Sequence, residues 1–148
     1  MKRLRFPLLL LFLLFLTGNL SASTFKRLLI KESHKIKIEI VESAAEKTLG
    51  LGKRDFLEKD TGMLFLYLQP AEQLFWMKNM NFEIDIIWIL KDRVVHIEKN
   101  VPPPSLMLND EDLKIYGRGI SADKVLEVRG GLSEQIKLKP GDPIRLLD

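Results

Sequence analysis

One carboxylate interrupts an otherwise apolar segment of this sequence. Asp85 lies within the segment IDIIWI of residues 84–89, where an unpaired charge would be costly to remove from water. We therefore expect Asp85 to be a structural acceptor, either for backbone amides of residues 79–82 or for the side chain of Arg54 or Lys78. The functional alternative is an acid or a ligand-contacting carboxylate in a cleft.

A second group of polar residues surrounds an aromatic side chain. In a strand, Trp76 and Lys78 would project from one face. Phe75 and Met77 would project from the other face and enter the core. Trp76, beside a cation and the amide of Asn79, could stack on a sugar or another planar ligand while the polar groups orient it. The structural alternative is a buried tryptophan whose indole N–H is hydrogen-bonded within the protein.

Two further charged residues could take part in chemistry. Arg54 follows the glycine-rich end of a predicted helix, a place suited to bidentate binding of a carboxylate, whether that of a ligand or of Asp85. Glu127 lies in the segment VLEV of residues 125–128, and its outward position in a strand predicts an ordinary solvated face. The functional alternative makes Asp85 or Glu127 the general acid or base of an enzyme.

Metal binding and nucleophilic catalysis find little support in the sequence. The chain has no cysteine and two histidines, His34 and His96, and a zinc site would need both of them together with carboxylates. Neither histidine has a partner serine in a glycine elbow. Gly117 and Gly119 lack the strand-to-helix setting of a phosphate-binding loop. We therefore predict no metal and no cofactor, and we assign no catalytic residue.

The elements that position these residues are mostly strands. Ser43 and Glu46 have the spacing of a capping box, which begins a short helix that Gly50 or Gly52 ends. The apolar run at 63–68 is expected in the middle of a sheet. Apolar or alternating runs predict strands at residues 35–40, 63–68, 73–78, 84–90, 93–98, 124–129 and 144–147.

The connections between these strands indicate the fold class. Residues 101–120 contain three consecutive prolines at 102–104 and are expected to form a long surface loop, a kind of segment that often carries function. The predicted strands show no βαβ alternation. We therefore predict a mainly β fold, a compact antiparallel sandwich or barrel-like domain with one or two short helices.

The first residues have the composition of a secretory signal peptide. Three basic residues within the first five precede an apolar run over residues 6–16, and a small polar stretch follows at 17–23. The apolar run is too short to span a bilayer, which takes roughly 20 residues of helix. We predict a signal peptide at residues 1–22, cleavage after Ala22 or Ser23, and a periplasmic or secreted protein with no membrane span after leader removal. The alternative is an uncleaved anchor.

The rest of the chain is electrically neutral and has the length of one domain. Three of the 23 basic side chains lie in residues 1–22, which contain no acid, so the remainder has 20 basic and 20 acidic side chains. This balance argues against nucleic acid as a partner, because phosphate binding needs a surplus of Lys and Arg on one face. We predict an N-terminal lead-in at residues 23–35 and a single β domain at 36–148.

Six short blocks of the chain carry a resemblance to a known family. They are GLGKR at 50–54, GMLF at 62–65, FWMKN at 75–79, IDI at 84–86, VLE at 125–127 and GD at 141–142. In this order and spacing they resemble the domain of unknown function 192 (DUF192), over about residues 36–147. The resemblance implies a compact all-β domain with minor helix, in a family without an agreed activity.

Three positions depart from that family's usual pattern. Gly52 stands where the family usually has Met, Met80 where it has Thr, and Glu83 where it often has Pro. The second departure removes a hydroxyl group that could form a hydrogen bond at position 80.

Three functions are open on these residues. The leading hypothesis is a non-catalytic binding or accessory domain of the cell envelope for a small polar or saccharide-like ligand. The alternatives are a hydrolase-type enzyme that uses Asp85 or Glu127 as general acid or base, and a structural protein-interaction module. A second carboxylate about 5 to 9 Å from Asp85 would favour a glycosidase-like enzyme. The residues predicted to bind the ligand are Arg54, Trp76, Lys78, Asn79 and Asp85.

Overall fold

The computed structural model describes residues 24–147, so the predicted signal peptide at residues 1–22 lies outside it. Two short helices, α1 (Ala44–Leu49) and α2 (Leu132–Gln135), and a 3-10 turn at Asp110–Asp112 accompany the strands. No helix among these residues is long and apolar enough to cross a membrane. The seven strands of the described part are Thr24–Ile30 (β1), His34–Val41 (β2), Thr61–Glu72 (β3), Ile84–Leu90 (β4), Arg93–Val101 (β5), Ser121–Arg129 (β6) and Ile144–Leu147 (β7).

The seven strands form one curled sheet. Their order is β5-β4-β6-β3-β2-β1-β7, which puts β3 in the centre, as its apolar sequence predicts. The two edges of the sheet approach each other where Arg93, at the start of β5, forms an antiparallel bridge with Pro143, just before β7. The predicted fold class is confirmed: the chain is mainly β, a barrel-like curled sheet with two short helices.

One pair of neighbouring strands is parallel, which the sequence analysis did not expect. β2 and β3 run in the same direction, whereas the other neighbouring strands are antiparallel. Residues 42–60, which include α1, connect them and return the chain to the same end of the sheet. A parallel pair needs a connection of about a dozen residues or more, and this one is long enough.

The strand β1 is an integral part of the sheet. It pairs with β2 on one side and with β7 on the other, and its residues Leu28 and Ile30 are buried. The strand within the predicted lead-in at residues 23–35 therefore belongs to the fold.

The predicted strand at residues 73–78 does not form. Phe75 makes a single antiparallel bridge with Tyr116, and the segment packs on the sheet as an irregular cover. The carbonyl of Gln73 accepts a hydrogen bond of 2.8 Å from the indole of Trp88, a buried residue of β4. A Cβ atom at Gly117 would lie 2.4 Å from that carbonyl oxygen, so glycine is required where the two segments meet.

Two apolar layers cover the two faces of the sheet. The inner layer takes residues from all seven strands, which places it inside the curl, and its largest members include Leu28, Ile36 and Leu126. The outer layer packs residues such as Phe65 and Trp88 against the cover formed by residues 73–82 and Tyr116. The polar residues that could carry function are distributed between these two layers.

Candidate functional site

Glu127 is a buried acid on the outer face of the sheet. It lies on β6, between Met63 of β3 and Ile86 of β4, and 5% of its surface is exposed. Its Oε2 atom has no hydrogen-bond partner among the described residues. Burial raises the pKa of the Glu127 carboxyl to about 8, against the opposing effect of the positive charge of Arg54. The expected solvated face is wrong, because α1 and the irregular cover pack over this part of β6.

A cavity of about 370 Å³ lies over Glu127. Its walls come from α1 and the glycine-rich turn that follows it, from Phe65 and Tyr67 of β3, and from residues of the irregular cover. Glu127 is the one acidic side chain of this wall, as far as the described residues go, and Lys47 and Lys78 are the basic ones. The wall of the cavity thus combines apolar residues with three charged or chargeable side chains, as ligand sites commonly do.

The helix α1 holds Lys47 at the cavity. The predicted capping box begins α1: the Ser43 hydroxyl accepts from the amide of Glu46, and the Glu46 carboxylate accepts from the amide of Ser43. One turn later, the ammonium of Lys47 donates to the carbonyl of Leu66 and lies 4.2 Å from the centre of the Tyr67 ring. Local helix chemistry therefore fixes a cation beside the sheet.

Tyr67 shares the cavity wall with Lys47. Burial, followed by the negative charge that Glu127 carries when ionised, raises the pKa of the Tyr67 hydroxyl to about 12. The hydroxyl is therefore a neutral hydrogen-bonding group across the physiological range.

Gly50 forms the part of the wall nearest to the carboxyl group. It ends α1 with φ of 51°, a left-handed conformation that suits glycine. A Cβ atom at this position would lie 3.9 Å from Oε2 of Glu127 and 3.5 Å from the Phe65 ring. The glycine therefore keeps the part of the wall next to this buried oxygen free of a side chain.

Trp76 and Lys78 lie on the cavity side of the irregular cover. Phe75 and Met77 are buried in the outer layer, as the alternation predicts, although the segment is not a strand. Trp76 is 42% exposed and contributes to the cavity wall. The ammonium of Lys78 lies 5.5 Å from the centre of its ring and also forms an ion pair with Asp110. The aromatic and cationic groups are therefore adjacent, as expected.

Arg54 and Asn79 lie outside the residues that form the cavity wall. The guanidinium of Arg54 binds the carboxylate of Glu39, with 2.7 Å between nitrogen and oxygen. Asn79 adopts a left-handed turn with φ of 59°, and its carbonyl accepts a hydrogen bond of 2.8 Å from the amide of Lys53. Asn79 therefore shapes the turn that follows Lys78, and Arg54 acts on Glu127 through its charge.

Asp85 lies on the opposite face of the sheet from Glu127. Its fully buried carboxylate accepts hydrogen bonds from the backbone amides of Asn100 (2.8 Å), Gly131 (3.2 Å) and Ser133 (2.7 Å). The prediction of a buried structural acceptor is confirmed, but the predicted partners are wrong. The amides come from the end of β5 and the start of α2 rather than from residues 79–82, and neither Arg54 nor Lys78 takes part.

The sequence contained a signal for the burial of Glu127, which was expected on a solvated face and was a candidate only in the enzyme alternative. Glu127 is an acid with apolar neighbours on both sides, just as Asp85 is in β4. The argument that an acid within an apolar strand must be satisfied or functional applies equally to both residues.

Two solved structures have a similar fold. A proposed transcription regulator of Sinorhizobium meliloti superposes with a TM-score of 0.73 at 23% sequence identity, over 84% of this chain and 95% of that one. A protein of unknown function from Novosphingobium aromaticivorans superposes with a TM-score of 0.71 at 30% identity, over 86% of this chain and 89% of that one.

No curated protein matches this chain. The family model DUF192, described as Uncharacterized ACR, matches residues 27–146, which is most of the chain and nearly all of its described part. The six blocks that suggested the resemblance lie within this match. The chain therefore belongs to the DUF192 family.

Proposed function

We propose that this chain is a non-catalytic binding domain whose cavity over Glu127 takes a small polar, saccharide-like ligand. The observation that carries the proposal is the unpartnered Oε2 atom of Glu127, which is buried in the cavity wall. A buried polar atom without a partner is destabilising by roughly 1 to 3 kcal/mol. A ligand that forms a hydrogen bond with this atom removes the penalty and gains affinity from it.

The remaining walls suit a ring with one apolar face. Trp76 is partly exposed at the cavity and offers an indole face on which the C–H groups of a sugar ring can stack. Lys47 and Lys78 supply donors for oxygen atoms at the edge of such a ring. The volume of about 370 Å³ is at the small end of the range for ligand pockets, roughly 300 to 1,000 Å³. A single ring fits this description better than a polymer does.

A two-carboxylate mechanism finds less support. Glu127 is the one carboxyl group that the described residues contribute to the cavity wall. The three backbone amides hold the oxygens of Asp85 on the other face of the sheet. A glycosidase needs two carboxyl groups about 5 to 9.5 Å apart on either side of the scissile bond. A cavity wall with a single carboxyl group favours a binding domain over the enzyme.

One observation favours an enzyme as the second candidate. The raised pKa of Glu127, about 8, is that of a general acid which still holds its proton at neutral pH. Such an enzyme would have to take its nucleophile from water or from the substrate. Turnover of a bound ligand that stops in Glu127→Gln would favour the enzyme, whereas recovery of the unchanged ligand would favour the binding domain.

We also propose that the domain works outside the cytoplasm, as a periplasmic or secreted accessory of the cell envelope. The support is the sequence of residues 1–23, in which a basic segment is followed by an apolar run and then by a stretch of small polar residues. The intact mass of protein recovered from the producing cells is expected to correspond to a chain that begins at residue 23 or 24. A full-length species retained in the membrane fraction would contradict cleavage.

The binding function can be tested on the protein as it is recovered from cells. Native mass spectrometry is expected to show a bound small molecule, and the variant Trp76→Ala should lose it while keeping its fold. Phe56→Ala is the matched control, because Phe56 is also an exposed aromatic, at 64%, but does not contribute to the cavity wall. Equal retention of the molecule by Trp76→Ala and Phe56→Ala would place binding elsewhere and contradict the proposal.

A further inference from the structure

The charged groups around the cavity over Glu127 are unbalanced at neutral pH. Two basic side chains, those of Lys47 and Lys78, contribute to the wall, and the only acidic one that the described residues place there is Glu127. Since the pKa of Glu127 is about 8, its carboxyl group is protonated in about nine of ten molecules at pH 7. The wall of the cavity therefore has an excess of positive charge, and the protonated Glu127 carboxyl group is a neutral O–H donor there, as is the Tyr67 hydroxyl.

Lys47 is the cation of the cavity wall best placed to bind an anionic ligand. Its ammonium donates to the carbonyl of Leu66 and packs on the ring of Tyr67, but it forms no ion pair with a carboxylate of the described residues. An ammonium has three donor hydrogens, so two remain for a ligand. Lys78, by contrast, already pairs with Asp110, whose side chain is 65% exposed. Such a surface pair is weak and leaves Lys78 available to attract an anion.

We infer that the ligand is a small ring that bears a carboxylate, such as a uronic acid, with its anionic group between the ammonium of Lys47 and the carboxyl group of Glu127. This inference rests on the proposed binding function and specifies the chemical class of its ligand. A carboxylate has two oxygens, which match one ammonium donor and one O–H donor. A neutral sugar would leave the ammonium of Lys47 without a counter-charge in the cavity.

The pH dependence of binding follows from the groups that face Glu127. Lys47 approaches from α1, Tyr67 from β3, and Lys78 from the irregular cover; Arg54 acts from the turn after α1 and is held by Glu39 of β2. The pKa of Tyr67 is about 12, so Tyr67 stays neutral near pH 8, and Glu127 is the acid of the cavity wall that changes charge there. When Glu127 ionises, the ligand loses a donor and meets a negative charge. Affinity for an anion is therefore expected to be constant below pH 7 and to fall above pH 8.

The test compares two probes of equal ring size, glucuronate and glucose, by isothermal titration calorimetry. Glucuronate is expected to bind at least tenfold more tightly than glucose at pH 6.5. Its association constant should fall about tenfold between pH 6.5 and pH 9, because a group with a pKa of about 8 is then ionised in about nine of ten molecules. In Glu127→Gln the side chain keeps nearly the same shape and stays neutral. The same change of pH should therefore alter its association constant for glucuronate less than threefold.

A second variant keeps the inference testable if Glu127→Gln does not fold. Lys47→Gln is expected to weaken glucuronate binding at least tenfold and to change glucose binding less than threefold. Lys139→Gln is the matched control, because it removes the same charge from an exposed residue outside the cavity wall. It should leave both affinities unchanged, and melting curves of all variants report whether each one is folded.

The outcomes separate this inference from the function on which it rests. Glucose binding as tight as glucuronate binding, with no dependence on pH, would overturn the anionic ligand and leave the binding domain in place. A pH dependence that persists in Glu127→Gln would overturn the role of Glu127. If neither sugar binds and the protein from cells contains no small molecule, both the inference and the proposed function fail.

Discussion

Asp85 and Glu127 are two buried acids on neighbouring strands, and they differ in what surrounds their oxygens. Ile86, the residue after Asp85, lies opposite Glu127, so the two carboxyl groups project from opposite faces of the sheet. Asp85 accepts three backbone amides, whereas Glu127 has an oxygen without a partner beside a cavity. The comparison teaches that burial alone does not mark a functional acid. An acid satisfied by backbone amides is structural, whereas a buried acid without a partner needs another explanation, and we propose a ligand for it.

The largest expected effect is the loss of Asp85. Asp85→Ala should lower the free energy of unfolding by about 3 to 5 kcal/mol, because each hydrogen bond to a charged acceptor contributes roughly 1.5 to 3 kcal/mol and the three losses add only in part. Urea denaturation measures the change. Asp55→Ala, at an exposed aspartate, is the control and should stay within about 0.5 kcal/mol of the parent. An equally small change for Asp85→Ala would contradict its structural role.

Replacement of Glu127 should have the opposite effect and raise the free energy of unfolding at neutral pH. The unfolded chain loses this proton above about pH 4.5, whereas the folded chain keeps it until about pH 8. The contribution of Glu127 to the free energy of unfolding therefore falls as the pH rises from 4.5 to 8 and is constant on either side. One pKa unit corresponds to about 1.4 kcal/mol, so Glu127→Gln should be more stable than the parent by roughly 3 kcal/mol at pH 7.

The measurement for Glu127→Gln is urea denaturation of both proteins between pH 4 and pH 9. The two proteins should have similar stability at pH 4 and diverge as the pH rises. Parallel curves over the whole range would show that Glu127 ionises normally in the folded chain, and the contrast with Asp85 would then disappear.

The smallest expected effect on stability belongs to Trp76. Because 42% of its surface is exposed at the cavity, Trp76→Ala should lower the free energy of unfolding by about 1 kcal/mol or less. Trp88→Ala is the matched control, since Trp88 is fully buried and donates its indole N–H to Gln73; its loss should be about 3 to 5 kcal/mol. A loss of that size for Trp76→Ala, with no ligand detected, would make Trp76 a core residue and not a binding platform.

Features that depend on local sequence could be predicted. The capping box at Ser43 and Glu46 begins α1 where the spacing indicates. The turn at Lys91 and Asp92 joins β4 and β5 in the two-residue gap between the strands predicted at 84–90 and 93–98, with positive φ at both residues. Each of these features is decided by residues within about four positions of one another, so the sequence pattern is sufficient.

Features that depend on distant partners could not be predicted. The amides that satisfy Asp85 belong to residues 15, 46 and 48 positions away along the chain. Glu127 is covered by α1 and by the irregular cover. In residues 73–78 of that cover, apolar and polar side chains alternate as in a strand, but the segment makes only one bridge within the described residues, at Phe75. No local pattern indicates which face of a strand another segment will cover.

The sequence by itself determined most of the strands, the helix α1, the apolar or polar character of each position and the membership of a known family. Only the tertiary structure decided which buried acid is satisfied, because hydrogen-bond partners are fixed by the path of the whole chain. It also decided that Lys47, Trp76 and Lys78 line the same cavity as Glu127, since these residues come from α1, the irregular cover and β6. The chemistry of each side chain is local, but the dielectric environment that changes its pKa is produced by packing.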